Sequence, residues 1–195
     1  MTPEAHNCAE VNVEMFHADA LELKGNPSLV LRKMTRSLGH MMRFAFIRLI
    51  LAMVTSLDYK LHQMDVKTAF LNGELDEVIF MDQPIGFMVK GQECNVCRLN
   101  RSLYGLKQSS RQWYKRFHQE VISNGFLMIE EDHCVYVKRS KGSFIILSLY
   151  VDDILLAGNN KEFIKTIKEW LSSTFEIKNM GEASLCLVSR FSETV

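Results

Sequence analysis

The sequence predicts an α+β fold, and three segments carry this prediction. Ser110 to Asn124 has the apolar spacing of an amphipathic helix, and a second such pattern begins after Asn159. Phe144 to Ala157 reads as two apolar strands that meet at the adjacent aspartates Asp152 and Asp153. A hairpin implies antiparallel strands, and antiparallel strands mixed with helices are typical of α+β domains.

Three helices are predicted, each from an apolar stripe at three- and four-residue spacing. The first covers residues 43–57, the second residues 110–124, and the third begins at a capping box formed by Asn159 and Glu162. Gly125 lies where a C-terminal cap of the second helix belongs. We interpret Trp113 and Phe117 on its stripe as core residues. The stripes are Phe44, Ile47, Leu51 and Val54; Trp113, Phe117 and Val121; and Phe163, Ile164, Ile167, Trp170 and Leu171.

The remaining elements are shorter. Leu61, Met64 and Val66 suggest a strand that carries Asp65, and Asn72-Gly73 is a turn signal. Further strands are predicted at residues 78–81, 96–99 and 134–138, and the tail from residue 176 is expected to be weak strand or coil. No structure is assigned to residues 1–28.

Composition narrows the possible classes of protein. The chain has 195 residues, of which 47% are apolar, and 23 basic residues balance 23 acidic ones, so overall charge does not indicate a nucleic-acid binder. Five scattered cysteines argue against a disulfide framework, and Cys94 and Cys97 lack the second ligand pair of a zinc site. With no signal peptide or membrane span recognised, we expect an intracellular protein that is not secreted.

The aspartate pair has two interpretations. An acidic, solvated hairpin turn needs no further role, although two-residue turns favour Asn-Gly or Asp-Gly. Alternatively, Asp152 and Asp153 hold a hard cation such as Mg²⁺, which prefers oxygen ligands. A two-metal site needs a third carboxylate, and Asp65 is the natural candidate. His62, three residues before it, is interpreted as a packing residue.

A basic and aromatic stretch lies between Cys94 and Gln119, where no acidic residue occurs. Cations neutralise phosphates and aromatic rings stack on bases, so this stretch is a candidate nucleic-acid or triphosphate surface. Its basic residues are Arg98, Arg101, Lys107, Arg111, Lys115 and Arg116, and its aromatic residues are Tyr104, Trp113, Tyr114 and Phe117.

Three long motifs occur in order: LHQMDVKTAFLNGELDEVIFMDQPIGF, CRLNRSLYGLKQSSRQWYKRF and LYVDDILLAGNN. Together they closely resemble the reverse transcriptase of copia-type LTR retrotransposon Pol polyproteins, plant elements above all. The resemblance runs from about Phe46 to Leu187. It implies a right-hand polymerase palm, a ferredoxin-like antiparallel sheet with helices on one face. It also implies RNA-directed DNA synthesis from deoxynucleoside triphosphates, with an RNA template and a DNA primer as partners.

Site residues follow from the resemblance. Asp65, Asp152 and Asp153 are implied to be catalytic and, with Val66, to hold two Mg²⁺ ions, for which Mn²⁺ is a possible substitute. Phe70 matches the steric gate that excludes a ribose 2′-hydroxyl. Nucleotide contacts are further implied for Gln108 and Lys107, and nucleic-acid contacts for Arg101, Arg111, Lys115 and Arg116.

The family's basic and TFSPV-like fingers stretches have no counterpart in residues 1–42, and residues 188–195 replace its continuation. We therefore expect an unmatched and poorly ordered segment 1–42, a palm-type domain at 43–187 and an unmatched tail at 188–195. Fingers and thumb are expected to be incomplete, and this chain degenerate or inactive as a polymerase. The alternatives are a non-catalytic nucleic-acid-binding or interaction protein derived from a retrotransposon, or another palm-type nucleotidyltransferase such as a cyclase. The sequence does not indicate an oligomeric state.

Overall fold

The computed structural model describes residues 11–12, 42–84, 86–87, 90–91 and 96–182. The predicted segments 1–42 and 188–195 therefore lie almost wholly outside the described residues. The helices are α1 Phe44–Ser56, α2 Ser109–Ser123 and α3 Lys161–Thr174, with a short 3-10 helix at Ala69–Asn72. The strands are β1 Val11–Asn12, β2 Lys60–Val66, β3 Phe80–Asp82, β4 Val96–Arg98, β5 Leu127–Met128, β6 Val135–Ser140, β7 Ser143–Tyr150, β8 Asp153–Gly158 and β9 Ile177–Glu182.

A six-stranded antiparallel sheet forms the centre of the described fold. Its strand order is β5-β6-β7-β8-β2-β9, so the sequence-distant β2 lies between β8 and β9. A smaller sheet has the order β1-β4-β3. The α+β prediction is confirmed by this mixture of helices and antiparallel strands.

Both faces of the large sheet are apolar at its centre, where alternate residues of β2, β6, β7 and β8 contribute to two different cores. On β8, Ile154 and Leu156 pack with helices α2 and α3, whereas Leu155 and Ala157 pack with α1. Burial on both faces explains why β7 and β8 read as nearly continuous apolar runs. It also corrects the implied arrangement with helices on one face, because the stripe of α1 covers part of the other.

The predicted helix at residues 110–124 is one residue late at both ends, since α2 is Ser109–Ser123 with Asn124 as its C-cap, and the predicted N-cap of α3 is one residue early. Gly125 follows the C-cap of α2 with a φ of 84°, a conformation that glycine adopts without steric cost. The N-cap of α3 is Asn160, whose Oδ1 accepts hydrogen bonds from the N–H groups of Glu162 and Phe163. Asn159 is used differently: its Oδ1 accepts from the Phe144 N–H at 2.8 Å and ties the start of β7 to the end of β8.

Two strand predictions change in extent. Strand β3 begins at Phe80 rather than at Val78, because the ladder with β4 runs from Phe80 opposite Arg98 to Asp82 opposite Val96. The tail expected to be weak strand or coil forms the edge strand β9, which pairs with β2. None of the helices in the described ranges is long and apolar enough to cross a membrane.

Candidate active site

The sheet register brings the three predicted aspartates to one end of β2 and β8. Asp65 on β2 lies directly opposite Asp153 on β8. Asp152 immediately precedes Asp153, and its carbonyl accepts a hydrogen bond of 2.9 Å from the Val66 N–H. Asp65 and Asp153 lie on the same sheet face as Leu61 and Ala157, which pack with α1. Each aspartate is four residues from the apolar residue on its own strand, or about 13 Å, so the aspartates lie beyond this contact with α1.

The two aspartates of the pair differ in their backbone position. Tyr150 pairs with Asp153, so the hairpin loop consists of Val151 and Asp152, and Asp153 is already the first residue of β8. Val151 has a φ of 60°, which is strained for a β-branched residue. The Trp113 indole N–H donates a hydrogen bond of 2.7 Å to the Val151 carbonyl. The loop is thus fixed from both β2 and α2.

Electrostatics at this end of the sheet disfavour an isolated cluster of negative charges. Burial, followed by the nearby charges of Asp153 and Asp65, raises the pKa of the Asp152 carboxyl above its ordinary value. Gln63 lies two residues before Asp65 on the same face of β2 and donates a hydrogen bond of 2.8 Å from Nε2 to Asp153 Oδ1. A cation placed among these carboxylates would relieve their repulsion.

The donor set fits a hard cation in its chemistry, since it offers carboxylate oxygens on adjacent strands. Its side chains are not arranged around one point. Within residues 42–84 and 96–182, no three carboxylate, imidazole or thiol groups converge closely enough to hold a metal ion. Binding would therefore require side-chain rotation at Asp65, Asp152 or Asp153.

Of the predicted nucleotide contacts, Phe70 is tied to this cluster through its neighbour Tyr104. Phe70, in the 3-10 helix that follows β2, is buried, and its ring centroid lies 4.6 Å from that of Tyr104. Tyr104 is 41% exposed, and burial and the charge of Asp152 raise the pKa of its hydroxyl. Lys107 is exposed, and Gln108 Nε2 donates to Glu77 Oε1 at 3.1 Å.

The predicted nucleic-acid contacts are partly used within the chain. Lys115 Nζ lies 2.7 Å from Asp76 Oδ2, which also accepts a hydrogen bond of 2.8 Å from Gln112 Nε2. These two donors lower the pKa of the Asp76 carboxyl. Arg116 forms an ion pair of 2.7 Å with Glu120 on its own helix. Arg101 and Arg111 are exposed.

No site role was predicted for Gln63 or the acidic segment 74–77, and Trp113 was interpreted as a core residue rather than as a support of the aspartate turn. Gln63 could have been found, because residues two apart on a strand share a face. The contacts of Trp113 with Val151 and of Asp76 with Lys115 join residues that are distant in the sequence, so no local pattern predicts them.

A sequence model described as reverse transcriptase (RNA-dependent DNA polymerase) matches residues 24–193, which is most of the chain. The chain belongs to this family. It is 51% identical over 142 residues to the retrovirus-related Pol polyprotein from transposon TNT 1-94 of Nicotiana tabacum, covering 72% of this chain and 11% of that polyprotein. It is 36% identical over 132 residues to the polyprotein from transposon RE2 of Arabidopsis thaliana (68% and 9%), and 35% over 136 residues to that from RE1 (70% and 9%).

The predicted copia-type relationship is therefore confirmed, and the chain carries a reverse transcriptase domain of copia-type Pol polyproteins. It spans about a tenth of the length of these curated relatives. No solved structure gives a significant match to the chain.

Proposed function

We propose that residues 43–187 act as an RNA-directed DNA polymerase palm, which adds deoxynucleotides to a DNA primer on an RNA template. The observation that supports this proposal is the position of Asp65 opposite Asp153 and beside the turn with Asp152, in a chain of the reverse transcriptase family. The six-stranded sheet with α2 and α3 packed on one face is the part that we assign to the palm.

In the proposed reaction, the primer 3′-oxygen forms a bond to the α-phosphorus of the incoming nucleotide. The bond from that phosphorus to the pyrophosphate oxygen breaks, and the 3′-hydroxyl proton is lost. When bound, two Mg²⁺ ions, or Mn²⁺ in their place, supply Lewis-acid activation of the hydroxyl and neutralise phosphate charge. Asp65, Asp152, Asp153 and the Val66 backbone would hold them.

The other residues of the chain bind and orient. Gln63 fixes one oxygen of Asp153, and the paired β2 and β8 strands fix the spacing of the aspartate backbones. Phe70 and Tyr104 form an aromatic wall next to the aspartates, at the position expected for the sugar of the nucleotide. Phosphates of the nucleotide and of the template–primer duplex would contact basic or amide residues, namely Arg101, Lys107, Gln108, Arg111, Lys115 and Arg116.

Primer extension tests this proposal. The purified chain is given an RNA template, a DNA primer, Mg²⁺ and all four deoxynucleotides, and is compared with Asp152→Asn. Asp58→Asn is a matched control, because it removes the same charge from an exposed turn residue whose φ of 50° suits asparagine. Extension by the parent and by Asp58→Asn, with none by Asp152→Asn, would support the polymerase proposal and overturn the expectation that this chain is inactive.

The second candidate is a domain that binds nucleic acid without catalysis. It is favoured by the exposed basic residues Arg101, Lys107 and Arg111, which can contact phosphates without a metal ion. A folded parent that binds template–primer but does not extend it would support this alternative and contradict the polymerase proposal. For the polymerase proposal, we also propose a location in a cytoplasmic virus-like particle or in the nucleus, as the resemblance to copia-type elements implies.

A further inference from the structure

The turn that carries Asp152 has a conformation that its own sequence disfavours. A two-residue hairpin loop with positive φ at its first position is normally occupied there by glycine. Val151 holds this position with a φ of 60°, although its branched side chain is crowded in the left-handed region. Strained backbone of this kind persists where the surrounding structure imposes it.

Two hydrogen bonds from outside the hairpin impose it here. The Trp113 indole N–H donates to the Val151 carbonyl at 2.7 Å, and the Val66 N–H donates to the Asp152 carbonyl at 2.9 Å. Both carbonyls of the loop are therefore held, one by α2 and one by β2. Val66 directly follows Asp65, so this second bond also ties the loop to the strand of the third aspartate.

The Trp113 ring is itself held rigidly. It is 2% exposed, its centroid lies 5.4 Å from that of Phe117, and it meets Phe175 edge-on at 5.2 Å. The backbone of Trp113 also packs closely against the end of the 3-10 helix. A Cβ built at Gly73 would lie only 3.0 Å from the Trp113 N atom. The indole donor is therefore a rigid support for the loop.

We propose that Trp113 is a positioning residue for the aspartate turn: its indole N–H holds the Val151 carbonyl so that Asp152 stays beside Asp65 and Asp153. This inference rests on the proposed function for its consequence, which is metal binding by the three carboxylates. Its structural content, that one side-chain donor fixes the strained turn, is independent of catalysis.

The sharpest perturbation removes the donor and keeps the ring. Incorporation of benzothienylalanine at position 113 replaces the indole N–H by sulfur at nearly constant shape, and Trp113→Phe is the genetically encoded counterpart. The same isostere at Trp170, which stacks on Phe126, is the matched control.

The first readout is amide hydrogen exchange in a peptide that covers residues 148–156, measured on the folded chain without metal. Loss of one neutral hydrogen bond predicts about two- to tenfold faster exchange of the loop amides in both position-113 variants. The Trp170 isostere is expected to exchange at the parental rate in this peptide. Parental exchange in the position-113 variants, or equal acceleration in the Trp170 isostere, would overturn the proposal.

The second readout is Mn²⁺ affinity by calorimetric titration, with Asp152→Asn to show that binding occurs at the aspartates. We expect the position-113 variants to bind Mn²⁺ about two- to tenfold more weakly than the parent and the Trp170 isostere. A parent that binds no Mn²⁺ at the aspartates would refute the metal site of the proposed function. The exchange result would in that case still decide whether Trp113 holds the turn.

Discussion

Gly73 lies where the 3-10 helix after β2 meets α2, and its replacement by alanine should strain this junction. The φ of Gly73 is −73°, which suits alanine, so backbone conformation is not the obstacle. Space is the obstacle: an added Cβ would lie 2.8 Å from Gln112 Cβ and 3.0 Å from Trp113 N. The second contact is with helix backbone, which cannot rotate away as the end of a flexible side chain can.

The size of the effect follows from this overlap. Ordinary Cβ contacts begin near 3.4 Å, so α2 or the 3-10 helix must move by roughly 0.6 Å in a close-packed interior. Overpacking of this kind costs about 1–3 kcal/mol, and the stiffer unfolded chain returns about 0.4–1 kcal/mol. We expect Gly73→Ala to destabilise the chain by about 1–2 kcal/mol, which lowers the melting temperature by about 2–8 °C for a domain of this size.

Urea unfolding followed by circular dichroism measures the change. Gly73→Val should be more destabilising than Gly73→Ala, because the cause is volume. Gly105→Ala is the control: it has open space around its Cβ but a φ of 97°, so it strains the backbone without displacing α2. If Gly73→Ala is as stable as the parent, the close approach of the 3-10 helix to α2 is wrong, and so is its contribution to the placement of Trp113.

Three further predictions concern the charged residues and the helix cap. The pKa of Asp152 is raised in the folded chain. Between the ordinary carboxyl pKa and the folded-state pKa, the native state therefore binds more protons than the unfolded state. The free energy of unfolding consequently falls as pH rises through this range. Asp152→Asn should therefore unfold at higher urea than the parent at pH 7 and lose less stability between pH 4 and pH 7; equal pH profiles would contradict this. Asp76→Asn should release Lys115 and tighten template–primer binding in a filter assay, with a salt slope steeper by about 0.9 than that of Asp58→Asn; an unchanged slope would refute it. Asn160→Ala should cost about 1 kcal/mol in urea unfolding through loss of the α3 cap, and no loss would remove Asn160 from that role.

The parts of the fold that local periodicity encodes could be predicted from the sequence. Helix α2 and the hairpin of β7 and β8 have patterns of the correct period over many residues, and Gly125 marks a helix end by its conformation. The meeting of Asp65 with Asp153 was also predicted, because a metal site requires a third carboxylate from a neighbouring strand. That prediction came from chemistry rather than from pattern.

The remaining features depend on contacts between distant segments. Asn159 and Asn160 are equivalent as helix caps in sequence, and the choice is made by β7, which takes Asn159 as the acceptor for the Phe144 N–H. Edge strand β9 has little apolar alternation of its own, and its pairing with β2 makes it a strand. The pairing of Asp76 with Lys115 likewise joins two segments whose charges give no sign of each other in the sequence.

Three departures from local preference lie at one end of β2 and β8. Val151 is strained, and Asp152 is half-buried beside two other carboxylates. The Trp113 indole N–H donates its hydrogen bond to the Val151 carbonyl in this loop. A chain selected for stability alone would place glycine first in such a turn and no like charges across the ladder. Such violations of local rules are expected at functional sites.

Metal should therefore stabilise the parent: at 100 times the dissociation constant, Mn²⁺ should add about 2.7 kcal/mol to its free energy of unfolding. Asp152→Asn should gain far less, and an equal gain in both proteins would place the bound ion elsewhere.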